Sequence, residues 1–422
     1  MIAGRVIAFS IRGCIALGLL FCGYKALRQG VAAWYFRQGT PEAVESAIRW
    51  DPGNPQYFDT WGTLLRLYAN NAEVKQVIAA YQQATRLAPA NASYWADLGE
   101  AYEWAGEREP AAQAFQCAVR LAPNSPEIHW RLANFEIRSG HTDLGLRALQ
   151  KALPAEGLPR QQIFAMATRA TRDTRAILNL AVPPRAGVLF DFLGFLLAQG
   201  NLEAAHEVWN RILELNLSFE LRQAFPYLDA LLGGHEPQRA AAVWALLAAR
   251  YPAQIPDPPR GGQRISNGRL AGEILNGGLD WRVVPVDGAR VIQEPPGDKE
   301  GARGLRIEFD GTQNLNYAQV SQYVVVEPGM RYRFSAAVRT AGITTDSGPR
   351  FRITDAYDAQ GLSLTTAGET GSSEAHSVPL DFRTGPRTRL LLVQVIRTPS
   401  GKFANRIAGT LWITQVSLEE VP

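Results

Sequence analysis

The side chains that could bind a metal or attack a substrate are few here, five histidines and three cysteines in 422 residues, and their spacing supports neither role. His129, His141, His206, His235 and His376 are dispersed, and none has a cysteine or a second histidine at ligand spacing. Cys14 and Cys22 fall in an apolar N-terminal stretch, and Cys117, near Phe115, reads as a small buried residue. Three cysteines make no disulfide framework. The sequence has no phosphate loop and no Gly-x-Ser-x-Gly elbow. Carboxylates are many, but no pair is set apart by its surroundings, so two-carboxylate glycoside hydrolysis has no candidate. The chain reads as non-enzymatic and without a cofactor. What remains is recognition by aromatic and charged side chains, and the elements that carry them decide where they point.

Those elements begin with a repeat. From Ala92 to Ser125 come Trp95, Leu98, Gly99 and Tyr102, then Ala111, Phe115 and Ala118, then Pro123, and Pro89 lies one 34-residue period before Pro123. Trp95, Leu98 and Tyr102 share a helical stripe, and Phe115 and Ala118 share a second. Gly99 and Ala111 are small where two helices must approach, and Pro123 ends the second helix. A preceding pair uses Phe58, Trp61, Gly62, Tyr81, Ala84 and Pro89, with three residues inserted near Asn70-Asn71. A following pair uses Leu132, Ala133, Leu149 and Ala152. Val44 and Ala47, before Pro52, belong to an earlier half-pair. Residues 160–182 read as helical but off-consensus, and further pairs run through Phe190–Trp209 and Phe225–Pro252.

This series resembles the tetratricopeptide repeat (TPR) family over about half the chain, residues 31–252. The resemblance implies a groove lined by the first helix of each pair, holding a protein partner. The groove candidates are Tyr94, Glu100, Glu103, Trp104, Asn134 and Arg138. Trp104 lies off the packed stripe and is either a binding anchor or a contact with the neighbouring repeat.

Residues 6–24 are apolar except for Ser10 and Arg12, close to the roughly 20 residues that span a bilayer. They read as an uncleaved membrane anchor within 1–30, with a signal-peptide core as the alternative. The first 40 residues carry Arg5, Arg12, Lys25, Arg28 and Arg37 and no acid, whereas the remainder has 38 basic against 40 acidic residues. Nucleic acid is therefore not an expected partner. The basic residues flank both ends of the apolar run, so charge leaves the orientation open.

Residues 253–265, with Pro256, Pro258, Pro259, Gly261 and Gly262, read as a semi-extended linker. Beyond it the period changes to two. Leu305, Ile307 and Phe309 alternate with charges, as do Tyr332, Phe334, Ala336 and Val338 with their neighbours, and Leu390–Ile396 is a nearly continuous apolar strand. About eight short strands predict a β-sandwich over 266–422. The fold class is therefore multidomain, α then β: a transmembrane helix, an α-solenoid and a C-terminal sandwich.

Three stretches sharpen this reading: Asn276-Gly277-Gly278-Leu279-Asp280-Trp281, the run from Tyr323 through Glu327-Pro328-Gly329 to Phe334, and Gly409–Leu418. Together they resemble the galactose-binding-like jelly roll of carbohydrate-binding modules. That family commonly has Phe where Leu279 stands, and paired Asp, one of which helps hold a structural calcium, where Thr414-Gln415 stand. Thr and Gln take away the charged ligand that a hard cation needs. The resemblance implies glycan binding by aromatic faces, with Trp281, Tyr317, Tyr323 and Trp412 as candidates and Gln319 and Arg350 as polar partners. Tyr317, in the polar loop after Asn314-Leu315-Asn316, is expected to be exposed, and Trp281 has a core position as its alternative. The two resemblances imply a scaffold in bacterial envelope or exopolysaccharide assembly, single-pass in the inner membrane with a periplasmic ectodomain, binding a protein and a polysaccharide. The competing reading is a protein-interaction scaffold whose sandwich binds no sugar.

Overall fold

The computed structural model describes residues 2–68, 74–153, 160–255, 257–294 and 304–421, with side chains from residue 15 onward except that of Tyr68. The insertion expected at Asn70-Asn71 and Pro256 lie outside the described residues, as do the side chains of 6–14.

Fourteen α-helices come first among the described residues. Helix α1 spans Ile2–Phe36, α2 Pro41–Trp50, α3 Pro55–Tyr68, α4 Val74–Leu87, α5 Ala92–Trp104, α6 Arg108–Leu121, α7 Pro126–Arg138 and α8 Thr142–Ala152. Then follow α9 (Arg160–Ala170), α10 (Thr174–Leu180), α11 (Ala186–Ala198), α12 (Leu202–Glu214), α13 (Phe225–Gly233) and α14 (Pro237–Arg250). Among the described residues no helix is long and apolar enough to cross a membrane.

Local chemistry sets the starts and stops. Thr40, Asn91 and Ser125 cap α2, α5 and α7 by accepting backbone N–H groups of the first turn, and Pro41 and Pro126 occupy first-turn positions where no N–H is needed. Gly106 and Gly140, at φ +78° and +87°, end the first helix of their pairs in the left-handed region. In the α3–α4 and α5–α6 pairs a glycine of the first helix admits a ring of the second. A Cβ on Gly62 would stand 2.8 Å from the Tyr81 ring, and one on Gly99 would stand 2.9 Å from Phe115. Phe115 in turn packs on Phe135 of the next pair at 5.0 Å between centroids, so the hairpins share a continuous core.

Ten strands follow among the described residues, in two antiparallel five-stranded sheets. One contains β1 (Arg282–Val283), β4 (Tyr317–Val325), β9 (Leu390–Arg397), β6 (Arg350–Asp355) and β7 (Ser363–Thr365), in that order. The other contains β2 (Ala289–Glu294), β3 (Gly304–Asp310), β10 (Ala408–Val421), β5 (Arg331–Ile343) and β8 (Gly371–Arg383). Ile307, Phe334, Val338 and Leu411 of the second sheet and Val320, Phe351, Val393 and Val395 of the first share one core, which makes a sandwich.

The chain divides into two compact units, and the division is not where the sequence places it. The first holds residues 1–195 and 207–216, and the second holds 196–206 and 217–422. The α13–α14 hairpin thus belongs with the sandwich, and the expected boundary at 252–266 is corrected. The reading of 253–265 as a free linker also fails. Ile255 and Ile265 are buried, Arg264 N–H donates to Leu418 O (2.9 Å), and Gln263 bridges to Glu419. Residues 262–264 satisfy backbone groups by running beside β10, a pairing that composition alone does not encode.

Candidate functional site

In the first unit the candidate face is built from α3, α5 and α7, the first helices of three successive pairs. Arg66 of α3 reaches Glu100 of α5 at 2.6 Å. Arg131 of α7 reaches Glu100 at 2.6 Å and Asp97 at 2.7 Å. Arg138 of α7 forms a bidentate pair with Glu103, both contacts at 2.7 Å. The Arg66–Glu100 and Arg131–Asp97 partners lie 34 residues apart, one repeat. The face therefore carries a ladder of charges in which each repeat neutralises its neighbour.

The ladder is uneven. Asp59 of α3 keeps Oδ1 buried without a hydrogen-bond partner. Burial, then the charge of Asp97 and a hydrogen bond with it, push the Asp59 carboxyl well above the ordinary carboxylate range, against the pull of Arg131 and Arg66. Glu100 shifts the other way: burial raises it, but the two guanidinium partners outweigh burial and hold it below its usual value. The Tyr94 hydroxyl is raised by burial and by Asp59 and Asp97.

Of the six groove candidates, Glu100, Glu103 and Arg138 are therefore committed to pairs between repeats. Asn134 turns its amide N–H to Trp130 O at 2.9 Å, Tyr94 is half-buried beside the acidic pair, and Trp104, at the end of α5, is 37% exposed. Sequence reasoning missed Asp59, Arg66, Asp97 and Arg131. Opposite charges repeated at the 34-residue period were the signal that would have found them.

The sandwich does not bring its candidates together. Trp281 is 1% exposed, with Nε1 donating to Asn267 O at 3.2 Å. Tyr317 is 0% exposed and packs edge-on against Phe309 at 5.5 Å. Neither ring has a face for a sugar, and both are removed as glycan candidates. The expected exposure of Tyr317 fails because the β4–β9 register shifts between Tyr317 and Val320, and the irregularity turns the residue inward. Trp412 and Tyr323 are half-buried on outward positions of different sheets, each under a guanidinium: Arg339 at 4.0 Å from the Trp412 ring, Arg282 at 5.0 Å from Tyr323. Gln319 shares the outward side of β4 with Tyr323, but its Oε1 accepts from Ala318 N at 2.6 Å. Arg350 bends onto Ser347 and Gly348. At the position of the family's calcium ligand, Thr414 Oγ1 donates to Ala337 O at 3.4 Å.

The motif around Asp280 does more than open a strand. Asp280 Oδ2 accepts from Leu275 N at 2.8 Å. Gly278, at φ +59°, sits against Trp244 of α14, where a Cβ would come within 2.3 Å of the ring, and Gly277 sits against Phe225 of α13. Tyr357 closes the other side, its hydroxyl donating to Leu232 O at 2.6 Å and its ring stacking on His235 at 4.1 Å.

The hairpins of the first unit, with a small residue under an aromatic and a period of 34, define a TPR-like repeat protein that continues into a β-sandwich. No family model and no curated protein matches the chain. Among solved structures it is similar to the crystal structure of MamA (16% identity, TM-score 0.29, 42% of this chain and 86% of that one). It is also similar to a tetratricopeptide repeat protein from Parabacteroides merdae ATCC 43184 (14% identity, TM-score 0.31, 54% and 93%) and to the APC/C hetero-tetramer Cut9-Hcn1 (17%, TM-score 0.29, 45% and 39%).

Proposed function

We propose that this chain is a non-catalytic scaffold that holds a protein partner along the α3–α5–α7 face, with Trp104 as an anchoring side chain. The observation that carries the reading is the 37% exposure of Trp104 at the end of α5, beside a face whose charges already neutralise one another. A large aromatic next to charges spent within the protein gives a partner apolar area without desolvating free ions.

The test is photo-cross-linking in cells with a reactive residue at position 104, compared with the exposed Lys151 on α8. One discrete product at 104 and none at 151 supports the reading. Equal labelling at both positions sinks it.

Two finer elements belong to the same proposal. Residues 6–24 anchor the chain in the inner membrane with the rest periplasmic; the exposed apolar run Leu17, Leu19, Leu20 and Phe21 on α1 supports this. The sandwich is a jelly-roll module that touches an envelope polysaccharide, supported by the outward placement of Trp412. Protease digestion after selective opening of the outer envelope tests the first. Affinity electrophoresis of the wild-type chain and Trp412→Ala in the cell's own polysaccharide tests the second, and equal retardation of both removes Trp412 from the site.

A further inference from the structure

Within the second unit a cleft of 620 Å³ opens beside α14, inside the range of roughly 300–1,000 Å³ typical of small-molecule sites. Its helical wall is made by Ala241, Ala245, Ala248 and Ala249, whose short side chains leave the space unfilled. The opposite wall is Tyr323 and Val325, from the outward side of β4, and Pro258 and Pro259 close one end. The walls are thus mainly apolar, but the charged groups at the cleft are unequal.

Arg260 is exposed at the margin. Arg264, also lining the cleft, gives Nη2 to Glu420 at 2.7 Å and keeps Nε buried without a hydrogen-bond partner. Arg282, lying over the Tyr323 ring, gives Nη2 to Asp229 at 2.6 Å and keeps Nη1 buried and unpartnered. Glu327 is the single acid in the lining. Arg260 thus presents an exposed guanidinium at the margin of a mainly apolar cleft, with Arg264, already paired to Glu420, beside it in the lining.

We propose that this cleft binds a small apolar carboxylate: its chain lies along the alanine wall, and its carboxylate is held by the exposed guanidinium of Arg260 at the margin, with the charge of Arg264 beside it. Guanidinium groups match a carboxylate in shape and charge. The site is independent of the partner-binding face on α3, α5 and α7.

The test is calorimetric titration of the full chain with octanoate, and with octan-1-ol as the same chain without the carboxylate. Octanoate is expected to bind saturably at one site and octanol at least tenfold more weakly. Ala245→Phe, which fills the cleft from an exposed helix position, should abolish saturation. Arg260→Ala, which removes an exposed side chain and leaves the backbone hydrogen bond from Gln263 N to the residue 260 carbonyl in place, should weaken octanoate about tenfold, as expected for loss of a charge-assisted hydrogen bond. Equal binding of octanol and octanoate, unchanged affinity in Arg260→Ala, or saturation by a neutral oligosaccharide in place of octanoate would each overturn the proposal.

Discussion

Trp95 and His129 stand one repeat apart and make the same contact. Trp95 Nε1 donates to Pro89 O at 2.9 Å, and His129 Nε2 donates to Pro123 O at 2.8 Å. Each proline ends a helix six residues earlier, and the ring that follows satisfies its carbonyl, so the turn between pairs is held from the next pair. Because a carbonyl only accepts, His129 carries its proton on Nε2, and its buried Nδ1 is left without a partner. His129→Ala removes the donor and opens space at a residue only 3% exposed. A loss of about 1–3 kcal/mol is expected, measured by urea unfolding, while His129→Trp is expected to recover part of it by restoring the donor that Trp95 supplies.

Gly99 tests the helix contact inside a pair. Gly99→Ala places a methyl 2.9 Å from the ring of Phe115, which is itself wholly buried and cannot swing aside. The cost is expected to be about 1–3 kcal/mol despite alanine's better helix propensity. A variant as stable as the wild type would show that the pair can open without penalty.

The charge ladder predicts unequal arginines. Arg131 is 13% exposed and serves both Asp97 and Glu100; Arg131→Ala leaves Asp97 without its arginine beside Asp59, and Glu100 with Arg66 alone, and is expected to cost about 2–4 kcal/mol. Arg138 is 56% exposed, and Arg138→Ala is expected to cost about 0–1 kcal/mol. Chemical denaturation of both variants reads the difference directly.

Asp280 gives a pH signature. Burial raises its carboxyl to about 6, against hydrogen bonds from Leu275 and Trp281, while the unfolded chain keeps the ordinary value of 3.8. Between these values the folded state holds a proton that the unfolded state has released. Stability is therefore greatest below the lower value and falls as pH rises through the upper one, by on the order of 3 kcal/mol. Asp280→Asn keeps an acceptor for Leu275 N and is expected to flatten this slope. An unchanged slope would place the titration elsewhere.

Arg397 predicts how the sandwich is held at its loop end. Its buried guanidinium donates to Ser347 O, Asn314 Oδ1, Leu315 O and Asn405 O at 2.6–3.0 Å. One fixed cation thus gathers oxygens from three loops. Arg397→Met leaves those carbonyls unmet and is expected to cost about 3 kcal/mol or more, whereas a chelator is expected to leave the unfolding midpoint of the wild-type chain unchanged.

The legible parts were those with a short period. Glycine beneath an aromatic, the 34-residue spacing of Pro89 and Pro123, and alternation in β3 and β5 are local signals that point to helix pairs and strands. The opaque parts depend on distant partners. Tyr317 was misplaced because an irregularity in β4 interrupts the alternation. The pairing of the groove charges is not legible locally because their partners lie a full repeat away. The stretch around Arg264 looked unstructured because its pairing partner, Leu418, lies at the far end of the chain, in β10.

Since Gly277 and Gly278 are shaped to receive Phe225 and Trp244, the bare sandwich is an incomplete object. A fragment cut at residue 266 would expose to water the ground those two rings cover, and it is expected to aggregate. A fragment begun before α13 keeps its own lid. The β-module is therefore portable only together with the helical hairpin that precedes it, and any exchange of modules at this point of the chain would have to move both.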